Sequence, residues 1–289
     1  MQEIALGTAN FGQTYGVANE IGQLSEVAIA KIIETARVHG IRTIDTAYSY
    51  GESLAILGRV GVGDFEIISK VGSIPSESED VARIVTDQVL LTLEHLRNTK
   101  IKAMLVHNVD EILGPHGEQI FCGLVEAKRR GLVEKIGVSI YDPISLDLIC
   151  RRFPIDLVQA PMNVFDNRIF DSGWLDRLSN AGIEVHSRSV FLQGLLLRKD
   201  AQLRAEFSNW REDFEQLGSW FSASTKTPLA KCVSHIKSFS QVSRLVVGVD
   251  TESQLMDVIE AYSDDPERAP KFKLRDPDIL LDPSKWMQL

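Results

Sequence analysis

The chain of 289 residues has little cysteine, an excess of acidic over basic residues and no long apolar run. Its three cysteines, Cys122, Cys150 and Cys232, are too few and too scattered for a disulfide framework or a zinc site. We therefore expect reduced thiols in a reducing compartment. With 31 lysines and arginines against 40 aspartates and glutamates, the net charge is −9. This balance argues against a nucleic acid or an anionic membrane surface as the main partner.

Targeting and membrane-spanning segments are missing as well. The first residues carry no basic stretch followed by an apolar one, so they do not resemble a signal peptide. No apolar run approaches the roughly 20 residues of a membrane span. These absences lead us to expect a cytoplasmic protein with no membrane partner.

Motifs of several other chemistries are also absent. The six histidines show no spacing typical of zinc sites, and we predict no metal. There is neither a serine nucleophile elbow nor a Walker phosphate-binding loop. The glycines of segment 58–63 stand in the wrong order for a dinucleotide-binding fingerprint and precede a predicted strand, so we interpret them as a turn.

What is present is a regular alternation of strand-like and helix-like segments. Predicted strands cover 3–8, 41–45, 65–70, 103–107, 135–139, 157–160, 183–187 and 244–248. Predicted helices cover 25–40, 53–60, 79–97, 117–130, 144–152, 172–181, 228–238 and 253–262. Apolar strands that alternate with helices are typical of a parallel sheet covered by helices, and eight such units favour a closed barrel. We therefore predict an α/β fold with a single (β/α)8 TIM barrel domain over residues 1–289.

Two segments depart from this period. Between Leu192 and Thr227 lies a polar and aromatic insertion that contains Trp210 and Trp220. We interpret it as a long loop after strand 7 and a candidate lid. The chain after Tyr262 is rich in proline and is predicted to form an irregular C-terminal tail.

Four polar residues stand at or just after the ends of predicted strands. Asp45, Lys70 and His107 end strands 2, 3 and 4, and Tyr50 lies in the loop after strand 2. Because the carboxyl ends of barrel strands meet around one mouth, we expect these side chains in one pocket. A carboxylate, an ammonium, an imidazole and a phenol can together transfer a proton to or from a carbonyl oxygen. Each residue alone has an ordinary structural interpretation, and only the joint pattern favours catalysis.

The segment 45–51, Asp-Thr-Ala-Tyr-Ser-Tyr-Gly, closely resembles the D-x-A-x-x-Y-G motif of the aldo-keto reductases. Further similar segments follow in the family's order along nearly the whole chain: 7–12, Gly58, 68–72, 105–107, 131–139, 158–163, 193–196 and 248–255. The resemblance implies an enzyme that reduces an aldehyde or ketone, with Tyr50 as the proton donor. Tyr48 is the nearest alternative, but only Tyr50 has the family's spacing to Asp45.

The physical chemistry of the four residues agrees with this role. A free tyrosine has a pKa of about 10 and rarely exchanges protons near neutrality. A nearby ammonium lowers that pKa, and we expect Lys70 to supply the charge while Asp45 holds Lys70 in place. His107 is expected to orient the substrate carbonyl by donating a hydrogen bond.

Reduction also needs a hydride donor, which no side chain provides. The resemblance implies a reduced nicotinamide dinucleotide, NADPH or NADH, bound across the barrel mouth, with Ser139 and Gln159 in contact with its carboxamide. The candidate cofactor-binding residues are Thr8, Ser139, Gln159, Arg188, Gly194, Leu195, Gly248, Asp250 and Gln254.

Two departures from the family pattern concern this cofactor. Arg188 replaces an aromatic residue that often stacks on the nicotinamide, and a guanidinium can stack on a ring or meet a phosphate or carboxylate. Asp250 and Glu252 stand where members that prefer the phosphorylated cofactor often carry a base. Because a carboxylate repels a phosphate, we expect NADH to be accepted at least comparably with NADPH, unless Arg198 or Arg204 covers the phosphate.

The sequence is compatible with three functions. The first is carbonyl reduction, where the polar insertion and Arg188 favour a polar or anionic, sugar-like carbonyl as the small-molecule partner. The second is a regulatory protein on the same barrel that binds the dinucleotide without turnover. The third, an isomerase or aldolase with a Schiff base on Lys70, is disfavoured because Asp45 keeps that lysine charged. His186 on strand 7 can be a buried structural histidine or a wall of the pocket, and we slightly favour the wall.

Overall fold

A computed structural model describes residues 2–17, 19, 21–198 and 205–288, so Arg204 lies outside the described residues. The eight strands of the described chain are all parallel and close into a barrel in chain order, with β8 paired to β1. They are β1 (Glu3–Gly7), β2 (Thr43–Asp45), β3 (Glu66–Val71), β4 (Ile101–Val106), β5 (Val133–Ser139), β6 (Leu157–Pro161), β7 (Glu184–Arg188) and β8 (Val242–Gly248). The predicted (β/α)8 barrel is confirmed.

Most strand ends differ from the predicted ones by one or two residues. Two of these differences matter for the carboxyl end of the barrel. β4 ends at Val106, so His107 belongs to the loop that follows, and β7 extends to Arg188, which becomes a strand residue. Asp45 and Lys70 lie on β2 and β3 as predicted.

The helices pack outside the barrel. They are α1 (Glu26–Val38), α2 (Ser53–Val60), α3 (Val81–Leu96), α4 (Val109–Leu113), α5 (Gly117–Arg129), α6 (Leu146–Arg152), α7 (Arg168–Asp171), α8 (Trp174–Asn180), α9 (Arg211–Ser222), α10 (Pro228–Lys237), α11 (Glu252–Ser263) and α12 (Pro277–Leu280). Local sequence explains where several of them begin. Ser25 caps α1, and Thr227 caps α10, which has Pro228 in its first turn.

The barrel interior changes character along its axis. Small apolar side chains in the middle form a cluster separate from the outer core: Ile68, Ala103, Leu105 and Leu157. Toward the amino ends of the strands lie ion pairs, such as Glu66 with Lys102 and Glu184 with Lys135. Toward the carboxyl ends lie buried polar side chains, which the apolar middle layer separates from those ion pairs.

The insertion after β7 and the C-terminal tail are more regular than predicted. The insertion contains a 3₁₀ helix (Ala205–Trp210) followed by α9, and the tail contains α12 and a 3₁₀ helix (Pro283–Gln288). The two segments pack together, with the rings of Phe207 and Trp286 5.0 Å apart. Buried aromatic residues shared between the two segments explain helices that the polarity of each segment alone did not predict. The short helices α4 and α7 were also missed.

The structure also corrects the expectation that His186 forms a wall of the pocket. It is buried, and its Nε2 lies 2.9 Å from the carboxylate of Glu184 at the start of the same strand. It belongs to the ion-pair region and not to a pocket wall, because the apolar middle layer separates that region from the carboxyl end.

Two further findings concern the described part of the chain. It has no helix long and apolar enough to cross a membrane. It also has no group of three or more histidine, cysteine, aspartate or glutamate residues arranged to hold a metal ion.

Candidate active site

A deep cleft opens at the carboxyl ends of the strands. Its volume is about 1420 Å³, and Asp45, Tyr50, Lys70 and His107 all line it. Pockets for drug-sized ligands typically measure roughly 300–1,000 Å³. The cleft therefore has room for an extended cofactor beside a small substrate.

Two glycines fix the loop that carries Tyr50. Gly51 has a φ of +54°, which favours glycine, and a Cβ there would lie 2.4 Å from the carbonyl oxygen of Gly12. A Cβ on Gly12 would in turn lie 2.0 Å from the carbonyl oxygen of Tyr50. The absence of both side chains lets the loop after β1 press against the loop after β2. The glycine that follows Tyr50 in the motif is thus required by this close approach.

A buried hydrogen-bond network lies beneath Tyr50. Lys70 Nζ donates to Asp45 Oδ1 at 2.7 Å and to the carbonyl oxygen of Thr46 at 3.0 Å. Gln159 Nε2 donates to the other carboxylate oxygen, Asp45 Oδ2, at 2.7 Å. The side chains of Lys70 and Asp45 are only 1% and 6% exposed. Burial lowers the pKa of Lys70, while the negative charge of Asp45 opposes that change.

Tyr50 lies above this network, with Lys70 Nζ 5.2 Å from the centroid of its ring. Burial raises the pKa of Tyr50 above its ordinary value, and the charge of Asp45 raises it further. Arg188 is the cation that opposes this rise. The pKa of Tyr50 is thus raised overall and not lowered as expected, because burial and Asp45 outweigh Arg188, and the ammonium of Lys70 is bonded to Asp45. The phenol stays protonated at neutral pH, as a proton donor must.

His107 lies beside Tyr50, and their rings meet edge to face with centroids 5.7 Å apart. His107 Nδ1 is 3.0 Å from the hydroxyl oxygen of Ser49. Burial lowers the pKa of His107 to about 4, and the positive charges of Lys70 and Arg188 contribute. The imidazole is therefore neutral at neutral pH and can donate one hydrogen bond.

Arg188 lines the cleft at the end of β7. Its Nη2 donates to the carbonyl oxygen of Ile140 at 2.9 Å, and its Nη1 donates to the hydroxyl of Ser189 at 3.1 Å. Its Cζ lies 4.2 Å from the ring centroid of Tyr141, which covers one face of the guanidinium. Backbone, hydroxyl and ring thus fix the position of this cation.

Ser139 ends β5 and lies opposite Gln159 in the middle of the neighbouring strand β6, and both line the cleft. Ser139 Oγ lies 3.5 Å from Gln159 Oε1. The amide nitrogen of Gln159 donates to Asp45. The groups that remain for a ligand are therefore one acceptor, Gln159 Oε1, and one hydroxyl, that of Ser139. This pair fits a carboxamide, which offers both an NH₂ donor and a carbonyl acceptor.

The other predicted cofactor residues divide into two groups. Thr8, Gly194 and Gly248 line the cleft, and Thr8 Oγ1 donates to the carbonyl oxygen of Asp45 at 3.0 Å. The side chain of Leu195, by contrast, is buried in the hydrophobic core.

The segment after β8 presents one acid to the cleft. Asp250 Oδ1 accepts hydrogen bonds from Asn10 Nδ2 at 2.8 Å and from Asn19 Nδ2 at 3.4 Å. The backbone N–H of Asp250 donates to Gln254 Oε1 at 2.6 Å, and both residues line the cleft. Glu252 instead accepts a hydrogen bond from a threonine of α1. Of the two acids expected beside the cofactor, Asp250 and Glu252, Asp250 therefore lines the cleft and Glu252 does not.

Tyr15, Tyr141 and Lys285 are among the cleft residues that the sequence did not indicate. Burial raises the pKa of Tyr15 to about 12, and its neighbour Tyr50 adds to this effect. Tyr141 follows β5 directly, and a tyrosine just after a barrel strand is a signal that could have found it. No comparable signal marks Lys285, because the sequence does not predict where the proline-rich tail lies relative to the barrel.

Comparisons with known proteins address the family and the fold. The sequence profile of the Aldo/keto reductase family matches residues 3–267. D-arabinose 1-dehydrogenase of Saccharomyces cerevisiae is 28% identical over 206 residues, which cover 62% of this chain and 60% of that protein. The match thus spans less than two thirds of the relative's length.

Two solved structures are similar over most of their length. The holo form of aldo-keto reductase AKR11C1 from Bacillus halodurans has a TM-score of 0.75 at 18% identity, covering 92% of this chain and 88% of the other. Glycerol dehydrogenase AKR11B4 from Gluconobacter oxydans has a TM-score of 0.69 at 20% identity, covering 91% and 86%. At these identities the likeness shows the shared fold.

Proposed function

The chain belongs to the aldo/keto reductase family of oxidoreductases, and on this basis we propose that it reduces an aldehyde or ketone with a proton from Tyr50 and hydride from a nicotinamide dinucleotide. One observation carries the proposal. Tyr50 lies between His107 and the buried pair of Lys70 and Asp45, within one cleft large enough for a cofactor and a substrate.

The side chains divide the reaction among them. The neutral His107 donates a hydrogen bond to the carbonyl oxygen and orients the substrate. Tyr50, whose raised pKa keeps it protonated, transfers its proton to that oxygen as negative charge develops there. Lys70, held by Asp45, stabilises the phenolate that forms. The reduced nicotinamide, when bound, supplies the hydride.

Ser139 and Gln159 would hold the cofactor at its carboxamide, and Asp250 and Gln254 would meet it at the far end of the cleft. Asp250 repels a 2′-phosphate but can accept a hydrogen bond from a ribose hydroxyl. We therefore propose that NADH is accepted at least comparably with NADPH. The cleft is lined by hydroxyl, amide and charged groups, which support a polar, sugar-like carbonyl as the substrate.

A regulatory protein that binds the dinucleotide without turnover is the second candidate. The raised pKa of Tyr50 favours it, because a weaker acid gives up its proton less readily. The complete set of Asp45, Tyr50, Lys70 and His107 favours the reductase.

A screen of hydroxyaldehydes and sugars with NADH and NADPH, followed at the nicotinamide absorbance band, tests the proposal. Fluorescence titration measures the affinity for each dinucleotide in parallel. Binding with turnover of one or more carbonyls supports the reductase, and binding with negligible oxidation by any carbonyl supports the regulator. A protein that binds neither dinucleotide contradicts both, and a borohydride-trapped adduct on Lys70 would indicate Schiff-base chemistry instead.

A further inference from the structure

Arg188 is a half-buried cation at the proposed reacting end of the cleft. Within the described residues it forms no ion pair, and its two hydrogen bonds go to a neutral carbonyl oxygen and a neutral hydroxyl. The charges of Asp45 and Lys70 cancel, and His107 is neutral. Among these four side chains the charge of Arg188 is therefore left over, and a partly desolvated charge is costly unless something pairs with it.

The backbone beside Arg188 is strained. Three non-glycine residues within a span of five have left-handed backbone, with φ of +59° at Ser189, +47° at Leu192 and +54° at Gln193. Asn163 Nδ2 donates to the carbonyl oxygen of Ser189 at 3.1 Å and so holds this turn. Such strain persists only where the surrounding structure enforces it, and it concentrates at ligand-binding sites.

The donors that remain on Arg188 suit an oxoanion. A guanidinium has five N–H donors, and two are accounted for by Ile140 and Ser189. Tyr141 covers one face of the group, so a ligand meets its edge or its other face. The edge is the part of a guanidinium that binds a carboxylate or a phosphate with two parallel hydrogen bonds.

We propose that Arg188 binds an anionic group of the substrate, a carboxylate or a phosphate, so that the preferred substrate is an anionic carbonyl compound. This inference rests on the proposed reduction and narrows its substrate class. Arg188 donates to the carbonyl oxygen of Ile140, the residue after Ser139, so its charge lies at the proposed carboxamide end of the cleft, in the same pocket as Tyr50 and His107. The anionic group therefore lies on the substrate, near the carbonyl, and is distinct from the phosphates of the cofactor.

Matched substrate pairs test this assignment and separate the two anions. D-glucuronate is compared with D-glucose for a carboxylate, and D-glyceraldehyde 3-phosphate with D-glyceraldehyde for a phosphate. We expect the wild-type kcat/KM to favour the anionic member of one or both pairs by at least about tenfold. Arg188→Gln should remove about ten- to hundredfold of kcat/KM for the anionic member and leave the neutral member within a few-fold. Arg188→Lys keeps the charge and should retain part of the preference.

A binding measurement keeps the test independent of turnover. Oxamate, an unreactive oxo-acid analogue, and its neutral counterpart oxamide are titrated against the protein in the presence of reduced dinucleotide. We expect Arg188→Gln to weaken oxamate at least tenfold, with oxamide and the dinucleotide unchanged. Arg177→Gln is the matched control, because Arg177 also stacks on an aromatic ring, that of Trp174, but lies outside the cleft.

Several results would overturn the assignment. Equal losses for the anionic and neutral substrates would make Arg188 a general positioning residue, and weaker dinucleotide binding would make it part of the cofactor site. A wild-type preference for neutral members of both pairs would contradict it directly. If no carbonyl is reduced at all, the proposed function fails, and the oxamate titration still decides whether Arg188 holds an anion.

Discussion

The two ends of the barrel both carry charged side chains, but they use them differently. At the amino end, Lys102 pairs with Glu66 at 3.0 Å and with Glu134 at 3.1 Å, and all three side chains are partly exposed. At the carboxyl end, the pair of Lys70 and Asp45 is almost completely buried. Exposed ion pairs contribute little to stability, whereas a buried ion pair is costly to break.

The difference shows what each end is built for. Charged side chains at the amino end, such as Lys102, Lys135 and Arg244, have partners within the protein. At the carboxyl end Arg188 has no acidic partner among residues 2–17, 19, 21–198 and 205–288. The end with paired charges serves stability, and the end that holds Arg188 is open to binding and chemistry, as barrel enzymes generally are.

The largest expected effect comes from removing one lysine from each end of the barrel and comparing the two variants. Lys70→Met should abolish measurable turnover and lower the free energy of unfolding by about 3–5 kcal/mol, because it leaves Asp45 buried without its cation. Lys102→Met should cost less than about 1 kcal/mol and leave turnover unchanged. Urea denaturation and the carbonyl-reduction assay measure both effects. Equal losses from the two variants would contradict the division between the ends.

Substitution of Asp250 sharpens the comparison within the carboxyl end. Asp250→Arg should shift the ratio of NADPH to NADH affinity at least tenfold toward NADPH, the scale of a charge-assisted hydrogen bond. Glu252→Gln is the control and should shift nothing, because Glu252 is bonded to α1 and does not face the cleft. Competitive fluorescence titration of the two dinucleotides measures the ratio. A wild-type protein that binds NADPH far more tightly than NADH would refute the role of Asp250 and direct attention to Lys285.

A smaller effect concerns stability at acidic pH. Burial lowers the pKa of both His107 and His235 to about 4. In the unfolded chain a histidine binds its proton below about pH 6.5, so between pH 4 and 6.5 the unfolded state holds more protons than the folded state. Stability should therefore be complete above pH 6.5 and fall as the pH drops, by up to about 1.4 kcal/mol per pH unit for each histidine.

His235 offers the cleaner variant, since it lies away from the cleft with Nε2 3.0 Å from the side-chain oxygen of Asn167. His235→Gln should reduce the slope of the free energy of unfolding against pH between pH 4 and 6.5. This expectation does not depend on how the substitution changes stability at pH 7. Denaturant midpoints at half-unit pH intervals measure the slope, and an unchanged slope would contradict the assignment.

Regular local signals explain what the sequence predicted well. The alternation of apolar strands and amphipathic helices placed Asp45 and Lys70 at strand ends, where the structure has them. The motif of residues 45–51 likewise marked the loop that carries Tyr50, and the structure gives its Gly51 a positive φ. These features depend on residues close together in the chain, which is why a single sequence reveals them.

Features that depend on distant residues escaped prediction. The hydrogen bond from Gln159 to Asp45 joins strands 114 positions apart, and it decides which atoms of Gln159 remain for a ligand. The rise in the pKa of Tyr50 depends on how deeply the folded protein buries the phenol. The insertion became helical because Phe207 packs on Trp286 of the tail.

Tyrosine-to-phenylalanine substitution at two neighbouring positions tests the central claim most directly. Tyr50→Phe should keep the wild-type affinity for dinucleotide and lower kcat about a hundredfold or more, because it removes only the proton donor. Tyr48→Phe, whose ring packs against Gly72, should keep near-normal kcat. The measurement is kcat with the best carbonyl of the screen, with melting temperatures as a folding control. A Tyr50→Phe protein that retains most of its activity would contradict the assignment of Tyr50 as proton donor.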